Sequence, residues 1–417
     1  MKILVLHRIP YQKIDYHRGI DHKEHDVTYF GTKEALLTLP GGLRCSAIER
    51  PGTLSAFHEA TRWLTENPQH FDRVISLSEY ELLDAARLRE WLGVPGAPVA
   101  RVRLARDKIL MKEAVSRAGL RVPRFLPLTD FLASRGHAPW ERATVLKPHS
   151  GASSEDVILF PTPSDAFAAI VAKRSGSALL DMGQSDASQY EIEEFVSGAI
   201  LHFDGLVVNG HISVMTASEY VGNCLSFANG HPLGSYHYPV RHEERQWVGH
   251  ALGATGVSSG SFHLEAIRHG QDLVFLEVAN RVGGADVVRT FELATGVHLP
   301  SQELQILIGE TVNAPASIPS NSLWHGWFVY PGHHMGEVNP GLVGTHVYRC
   351  STSVVHWHEL DMGASLPAHI TYQAHEVPLA GVVATTSADI TREWIRTLFE
   401  TVSYRTPVLP RDFAEVR

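Results

Sequence analysis

The first hundred or so residues alternate short apolar runs with a stretch of helical period. KILVLH, HDVTYF and DRVISLS read as strands. The last is followed by EYELLDAARLREWLG, in which Leu82, Leu83, Ala86, Leu88 and Leu92 recur at roughly helical spacing between Arg and Glu residues. Such alternation predicts βαβ units around a parallel sheet, an α/β class. The helix should close at Gly93, where VPGAP breaks the chain. The character then changes. RDKILMKEAVSRAG predicts an amphipathic helix capped by Asp107 and ended by Gly119 and Pro123. Strand-like runs follow in ATVLKP, DVILF, QYEIEEFV, LVVNGHISVM, SFHLEAIRH and DLVFLEVAN, with helices expected over SDAFAAIVAKRSG and EERQWVGHALGATG. Near the C-terminus HGWFVYP, HVYRC and TSVVHWHEL read as strands around a loop of Gly, Pro and His, and no internal repeat is present.

Composition narrows the class. At 417 residues the chain exceeds what one core usually supports, and 44% hydrophobic with 19% charged residues is a globular balance. No run approaches the roughly 20 apolar residues of a membrane helix, and MKILVLHRIP, without a small-residue cleavage site, reads as a first strand. No membrane association and a cytoplasmic location are the default expectation. Cys45, Cys224 and Cys350 are far apart and form no C-x-x-C pair, so reduced thiols are expected. A net charge of -9 argues against a nucleic-acid partner. Among the 25 histidines, His333 and His334 adjoin, but no H-E-x-x-H or evenly spaced ligand set surrounds them, so ordinary histidines are expected. No G-x-G-x-x-G follows the first strand, which disfavours a dinucleotide.

Two segments carry candidate chemistry. In VLKPHSGASSEDVILF two strands are joined by the small residues Ser150, Gly151, Ala152, Ser153 and Ser154, whose backbone N–H groups could approach a polyphosphate, with Lys147 at the end of the incoming strand. The order is not that of a P-loop, and a plain Ser/Gly hairpin with a solvated lysine is the alternative. In SFHLEAIRHGQDLVFLEVANRVGG, Glu265 and Glu277 fall on successive strands of a hairpin turning near His269 and Gly270. Facing carboxylates repel unless a cation lies between them, and Mg²⁺ with ATP phosphates would supply one. Arg281 adds a fixed cation just beyond the second strand; a solvated acidic face is the competing reading.

The succession RDKILMK, VLKPHSGASS, YEIEEFVSG, FHLE and FLEVANRVGG resembles the ATP-grasp superfamily, and within it the carboxylate-amine ligases similar to bacterial L-amino-acid (dipeptide) ligases of the bacilysin-synthetase type. The resemblance spans most of the chain. It implies a Rossmann-like domain over residues 1–103, an ATP-grasp domain over 104–319 with a nucleotide-binding lid at roughly 123–197, and a C-terminal α/β subdomain over 320–417. Carried over position by position, it implies that Lys108 and Lys147 contact ATP and that Ser150 to Ser154 close over the triphosphate. Glu193 and Val196, flanked by Glu194 and Phe195, would meet the adenine edge. Glu265 and Glu277 would hold Mg²⁺, and Arg281 would stabilise the acyl phosphate or the tetrahedral intermediate.

Two departures stand out. EVANR places Ala279 where many relatives have Asn, and Asn280 one step later should face away from Glu277; the dipeptide ligases tolerate Ala here. After VSGA, Ile200 and Leu201 stand where many relatives carry a ribose-binding Glu. HFDG resembles the H-x-D-G of many such ligases, so His202 and Asp204 are candidate substrate contacts, with packing as the alternative. Gly283 and Gly284 would let the backbone approach a substrate carboxylate, and Arg289 could pair with it. The expected function is amide or peptide bond formation between a small-molecule carboxylate and an amine, with ATP and Mg²⁺, through an acyl phosphate and with ADP release. A homodimer is left open. Carboxylation of a small metabolite and a non-catalytic nucleotide-binding module are the alternatives.

Overall fold

The computed structural model describes residues 1–151, 154–310 and 323–405. Its N-terminal apolar runs become β1 (Lys2–His7), β2 (Asp26–Gly31) and β4 (Arg73–Ile75), and a further strand, β3 (Ser46–Glu49), completes an all-parallel sheet in the order β3-β2-β1-β4. The edge strand β3 is short and mostly exposed, so it has no apolar run to announce it in the sequence. Both faces of the central strands are covered, as a parallel sheet requires. Leu4 and Leu6 pack on Ala60, Leu64 and Leu88, while Ile3 and Val5 join a cluster with Leu304 and Ile308 of the distant helix Leu299–Ile308. Gly19 lets that helix approach, since a Cβ there would sit 2.6 Å from the Ser301 carbonyl oxygen. The helix Leu82–Leu92 ends at Gly93 in the left-handed region, at φ 66°. This sheet presents Arg8 after β1 and Glu79 after β4, at its carboxyl edge, where open α/β sheets bind ligands.

Strands β5 (Phe125–Pro127), β6 (Thr144–Pro148), β7 (Ile158–Phe160) and β8 (Tyr190–Glu194) form a separate antiparallel sheet in the order β5-β8-β6-β7, around Leu128, Phe131, Trp140, Leu146 and Ile192. The helix Lys108–Arg117 lies against it. Asp107 caps this helix, its carboxylate accepting from the Ile109 and Leu110 amides at 3.1 and 3.2 Å. Four residues on, Lys112 is fully buried and donates to Glu191 and Glu193 of β8 at 2.6 Å each. Lys147 of β6 reaches the same two carboxylates at 3.6 and 2.7 Å. Burial opposes ionisation of Glu193, but the two lysines outweigh it and hold its carboxyl below the usual range.

The remaining long strands are β9 (Ala199–Val208), β10 (His211–Val221), β11 (Leu233–Tyr238), β12 (Gly260–His269), β13 (Asp272–Ala279) and β14 (Trp324–Tyr330). The short strand β15 (Leu342–Val343) follows, then β16 (Val354–Glu359), β17 (Leu379–Thr385) and the short β18 (Ser403–Tyr404). Eight of them make one antiparallel sheet in the order β13-β12-β9-β10-β11-β14-β17-β16, and β15 pairs with β18. Two expectations need correction. LVVNGHISVM is not one strand: Asn209 and Gly210, at φ 51° and 80°, turn β9 into β10, the hairpin chemistry that Asn-Gly favours. HVYRC is not a strand, because the helix Thr345–Arg349 occupies most of it. In the segment after residue 320, β14 pairs with β11, so β14, β16 and β17 extend the sheet begun by β9. No helix among the described residues is long and apolar enough to cross a membrane.

The buried clamp on Lys112 generates a prediction. Lys112→Met would leave Glu191 and Glu193 with Lys147 as their one remaining close cation among the described residues. Removing one partner of a buried ion cluster typically costs about 3–5 kcal/mol. Urea unfolding should record a loss of that order, and a change below about 1 kcal/mol would contradict the clamp.

Candidate active site

The pairing register gathers the polar residues of the large sheet onto one face. His263 lies opposite Asp204 on β9 and Ala279 on β13; Glu265 lies opposite His202 on β9 and Glu277 on β13. Because side chains alternate along a strand, the H-x-D of β9 and the H-x-E of β12 put all four side chains on the same face. Tyr220 of β10, paired with Ser235, and Trp327 of β14, also paired with Ser235, continue that face. It floors a cleft of about 740 Å³, whose opposite wall comes from the loops after β1 and β4 and from the start of the helix Lys108–Arg117.

Glu265 and Glu277 are direct cross-strand neighbours, as the hairpin reading expects. Their side chains are 10% and 35% exposed, so Glu277 is the more open to the cleft. Glu265 accepts from the Tyr220 hydroxyl at 2.7 Å and lies 3.5 Å from His263 Nε2. Lys108 Nζ contacts Glu277 at 2.9 Å and donates to the Gly151 carbonyl at 2.9 Å. Burial works against the Glu277 anion, yet Lys108 and Lys147 hold its carboxyl below the usual range. Two adjacent carboxylates on a cleft, each with oxygen donors, suit a hard divalent cation. Asn280 faces the other way, bonding the Ser259 and Ser261 carbonyls at 3.2 and 2.8 Å.

Arg281 is anchored from the N-terminal domain. Its Nε donates to Glu79 Oε2 at 2.5 Å and its Nη1 to the Val282 carbonyl at 2.6 Å, which leaves Nη2 without a partner among the described residues. Arg106 holds the other oxygen of Glu79 and donates to the Ser150 carbonyl at 3.2 Å. Burial and the neighbouring Arg281 lower the Arg106 guanidinium to about 10, which still leaves it charged at neutral pH. Glu79 thus fixes two arginines at the cleft edge.

Behind Glu265 runs a buried relay. His202 Nε2 lies 2.5 Å from Ser235 Oγ and its Nδ1 2.5 Å from Asp204 Oδ2, while Asp204 Oδ1 is 2.7 Å from His263 Nδ1. Burial disfavours charge on His263, but Asp204 and Glu265 outweigh it and raise the imidazole to about 10. Asp204 is correspondingly held low, His263 and His202 prevailing over burial. The His202, Asp204 and His263 donors all lie within 4.8 Å of one another, a spacing a metal set also shows, but their contacts are hydrogen bonds. Gly283 fills the space beside them: a Cβ there would stand 2.9 Å from both Asp204 Oδ1 and His263 Nδ1.

The expected residues therefore separate into groups. Lys108, Gly151, Ser154, Glu265, Glu277, Arg281, Gly283, Gly284 and Arg289 line the cleft. His202 and Asp204 are buried and do not line it, so the direct substrate contact expected of them is replaced by support for His263. Lys147 and Glu193 do not line it either; they belong to the clamp between the helix and the four-stranded sheet. The Glu194 carboxylate pairs with Arg124 at 2.6 Å, the Phe195 amide donates to the Ala143 carbonyl at 2.8 Å, and Val196 packs with Ile267 and Val274. Ser150 contributes its carbonyl to Arg106, and Ala152 and Ser153 lie outside the described residues. His333 Nε2 donates to the Ala228 carbonyl at 3.0 Å, a packing contact. Sequence reasoning missed Glu79, Arg106, Lys112, Glu191, Tyr220 and His263. Spacing alone could have found three of them: Lys112 follows Lys108 by one helical turn, and Glu191 and His263 stand two residues before Glu193 and Glu265 on their strands.

No protein-family model matches the chain. An L-arginine-specific L-amino acid ligase of Bacillus subtilis is 25% identical over 248 residues, 57% of this chain and 58% of that protein, so the alignment spans little more than half of the relative. Among solved structures, an L-amino acid ligase from Bacillus licheniformis superposes with a TM-score of 0.70 at 17% identity, covering 97% of this chain and 98% of the other. A biotin carboxylase from Campylobacter jejuni gives 0.64 at 13% identity, covering 96% and 95% of the two chains. An N5-carboxyaminoimidazole ribonucleotide synthetase from Thermotoga maritima gives 0.64 at 12%, covering 96% and 98%. The chain therefore has the ATP-grasp-type α/β fold that these structures share, and in sequence it is similar to a bacterial L-amino-acid ligase.

Proposed function

We propose that the chain is an ATP-dependent ligase that joins a carboxylate to an amine through an acyl phosphate, releasing ADP and phosphate. The observation that carries the reading is the Glu265–Glu277 pair, set side by side on the cleft with Lys108 and Arg281 around it. A carboxylate does not condense with an amine at neutral pH because oxide is too poor a leaving group. Phosphorylation converts that oxygen into a phosphate, which leaves readily.

Glu265 and Glu277 would hold Mg²⁺, which when bound offsets charge on the nucleotide phosphates. Tyr220 and His263 keep Glu265 in place, and Lys108, fixed by Glu277 and the Gly151 carbonyl, puts a cation beside Gly151. Arg281, its Nε and Nη1 already engaged, offers Nη2 to the oxyanion that forms as the amine attacks. Glu79 makes that arginine preorganised, so no reorganisation is required during the reaction. The amine-dependent reading is favoured over carboxylation by the similarity to two amino acid ligases, one in sequence and one in fold. Carboxylases share the same fold, so independence from bicarbonate is part of the test.

Two outcomes are expected. With ATP, Mg²⁺ and a panel of amino acids, hydroxylamine in place of the amine should trap a hydroxamate, with ADP formed in equal amount and no dependence on bicarbonate. Glu277→Gln should lower that yield by about a hundredfold or more, the usual scale for losing a preorganised electrostatic element. AMP as the product, or full turnover by the variant, would contradict the reading. The second outcome concerns the support behind Glu265. Gly283→Ala forces a Cβ against Asp204 and His263 and should destabilise the protein by about 1–3 kcal/mol, the range for overpacking. A melting profile identical to the parent's would show that the relay tolerates displacement.

A further inference from the structure

Beyond the carboxylate pair, the floor of the cleft changes character. Tyr220, Cys224, Leu233, Val287, Trp327 and Tyr372 all line it, and none carries a charge. Leu233, Val287 and Trp327 are almost fully buried, packed with Phe227, Val329 and Val382 in one cluster. The aromatic walls brace one another. Phe227 stacks on Tyr372 at 4.5 Å between centroids, and Tyr220 meets Trp327 edge-on at 6.2 Å. Opposite Tyr372 the wall drops to Gly284, where even an added Cβ would meet only the Tyr372 ring, at 4.0 Å. The corner is therefore walled by side chains already held by packing, with space left beside Gly284.

This corner adjoins the reacting groups. Tyr220 forms part of it and is hydrogen-bonded to Glu265 at 2.7 Å. Of the charged residues elsewhere on the lining, Lys13, Asp15 and Arg18 belong to the short helical turns after β1, and Asp286, Arg289 and Glu292 to the helix Val287–Thr295 and its cap. We propose that the corner formed by Tyr220, Cys224, Leu233, Val287, Trp327 and Tyr372 is the side-chain subsite of the carboxylate donor, and that it selects amino acids with apolar side chains between leucine and phenylalanine in size. This rests on the ligase reading, which puts the reacting carboxylate beside Glu265 and Glu277. An acidic side chain would be desolvated next to Glu265 and Glu277 with no opposing charge on these six residues, and a basic one would lose its water for carboxylates already engaged by Tyr220, His263 and Lys108. Each methylene buried against such walls contributes about fourfold in affinity. Trp327 and Tyr372 supply the area that makes the larger side chains favoured.

Binding separates this inference from turnover. Calorimetric titration of the full chain, with Mg²⁺ and a non-hydrolysable ATP analogue, would compare L-alanine, L-leucine, L-phenylalanine, L-glutamate and L-lysine. Leucine and phenylalanine are expected to bind at least tenfold more tightly than alanine, and glutamate and lysine more weakly than alanine. Cys224→Phe, which fills the corner, should lower the phenylalanine-to-alanine affinity ratio by tenfold or more. Cys224→Leu, a smaller intrusion that keeps the test open if the first variant does not fold, should lower it by less. Tightest binding of glutamate or lysine, no binding of any amino acid, or an unchanged ratio in a folded variant would overturn the subsite. An apolar preference in a protein that releases no ADP would leave the subsite standing and remove the ligase reading.

Discussion

Two carboxylates held side by side on neighbouring strands are the constraint around which the site is arranged. The register of β12 on β13 brings Glu265 and Glu277 together whether or not their charges favour it. Like charges at that spacing must be offset, and the surroundings do so from three directions. Lys108 approaches Glu277 from the helix, His263 approaches Glu265 along its own strand, and Arg281 follows β13 into the cleft. Each of these cations is itself fixed by a second partner: the Gly151 carbonyl, Asp204 and Glu79 respectively. A site built this way loses little freedom when a substrate arrives, which is what preorganisation requires.

The same helix serves two sheets. Lys108 at its first turn points to the carboxylates of the large sheet, and Lys112 one turn later is buried between Glu191 and Glu193 of the four-stranded sheet. A shift of the helix would therefore disturb both. The N-terminal domain is tied in by Glu79, which reaches Arg281 across the cleft, and by the helix Leu299–Ile308, which packs under β1. Elements far apart in sequence meet here because the cleft lies at the carboxyl edge of one sheet and on the face of another.

Much of this was legible in the residues. The period-two runs located most of the strands, Asp107 marked the start of its helix, and two Glu residues twelve positions apart across a Gly turn placed the pair correctly on a hairpin. What local pattern could not provide was register between strands distant in sequence. That β9 would lie beside β12, putting His202 and Asp204 behind Glu265 and His263, depends on a pairing with more than fifty intervening residues. Glu79 and Arg106 likewise acquire meaning only when the first domain closes on the sheet. The Asn-Gly turn at 209–210 was a different kind of miss: the signal was present, but flanking apolar residues ran through it as if one strand continued.

The acyl phosphate proposed for this arrangement is tested most directly by oxygen transfer. The substrate amino acid would be prepared with ¹⁸O in its carboxylate and allowed to react with ATP, Mg²⁺ and an amine, and the phosphate and nucleotide products would be examined by mass spectrometry. The account predicts ¹⁸O in inorganic phosphate, a single labelled atom for each amide formed, and none in ADP. Label appearing in AMP, or unlabelled phosphate alongside amide product, would contradict it.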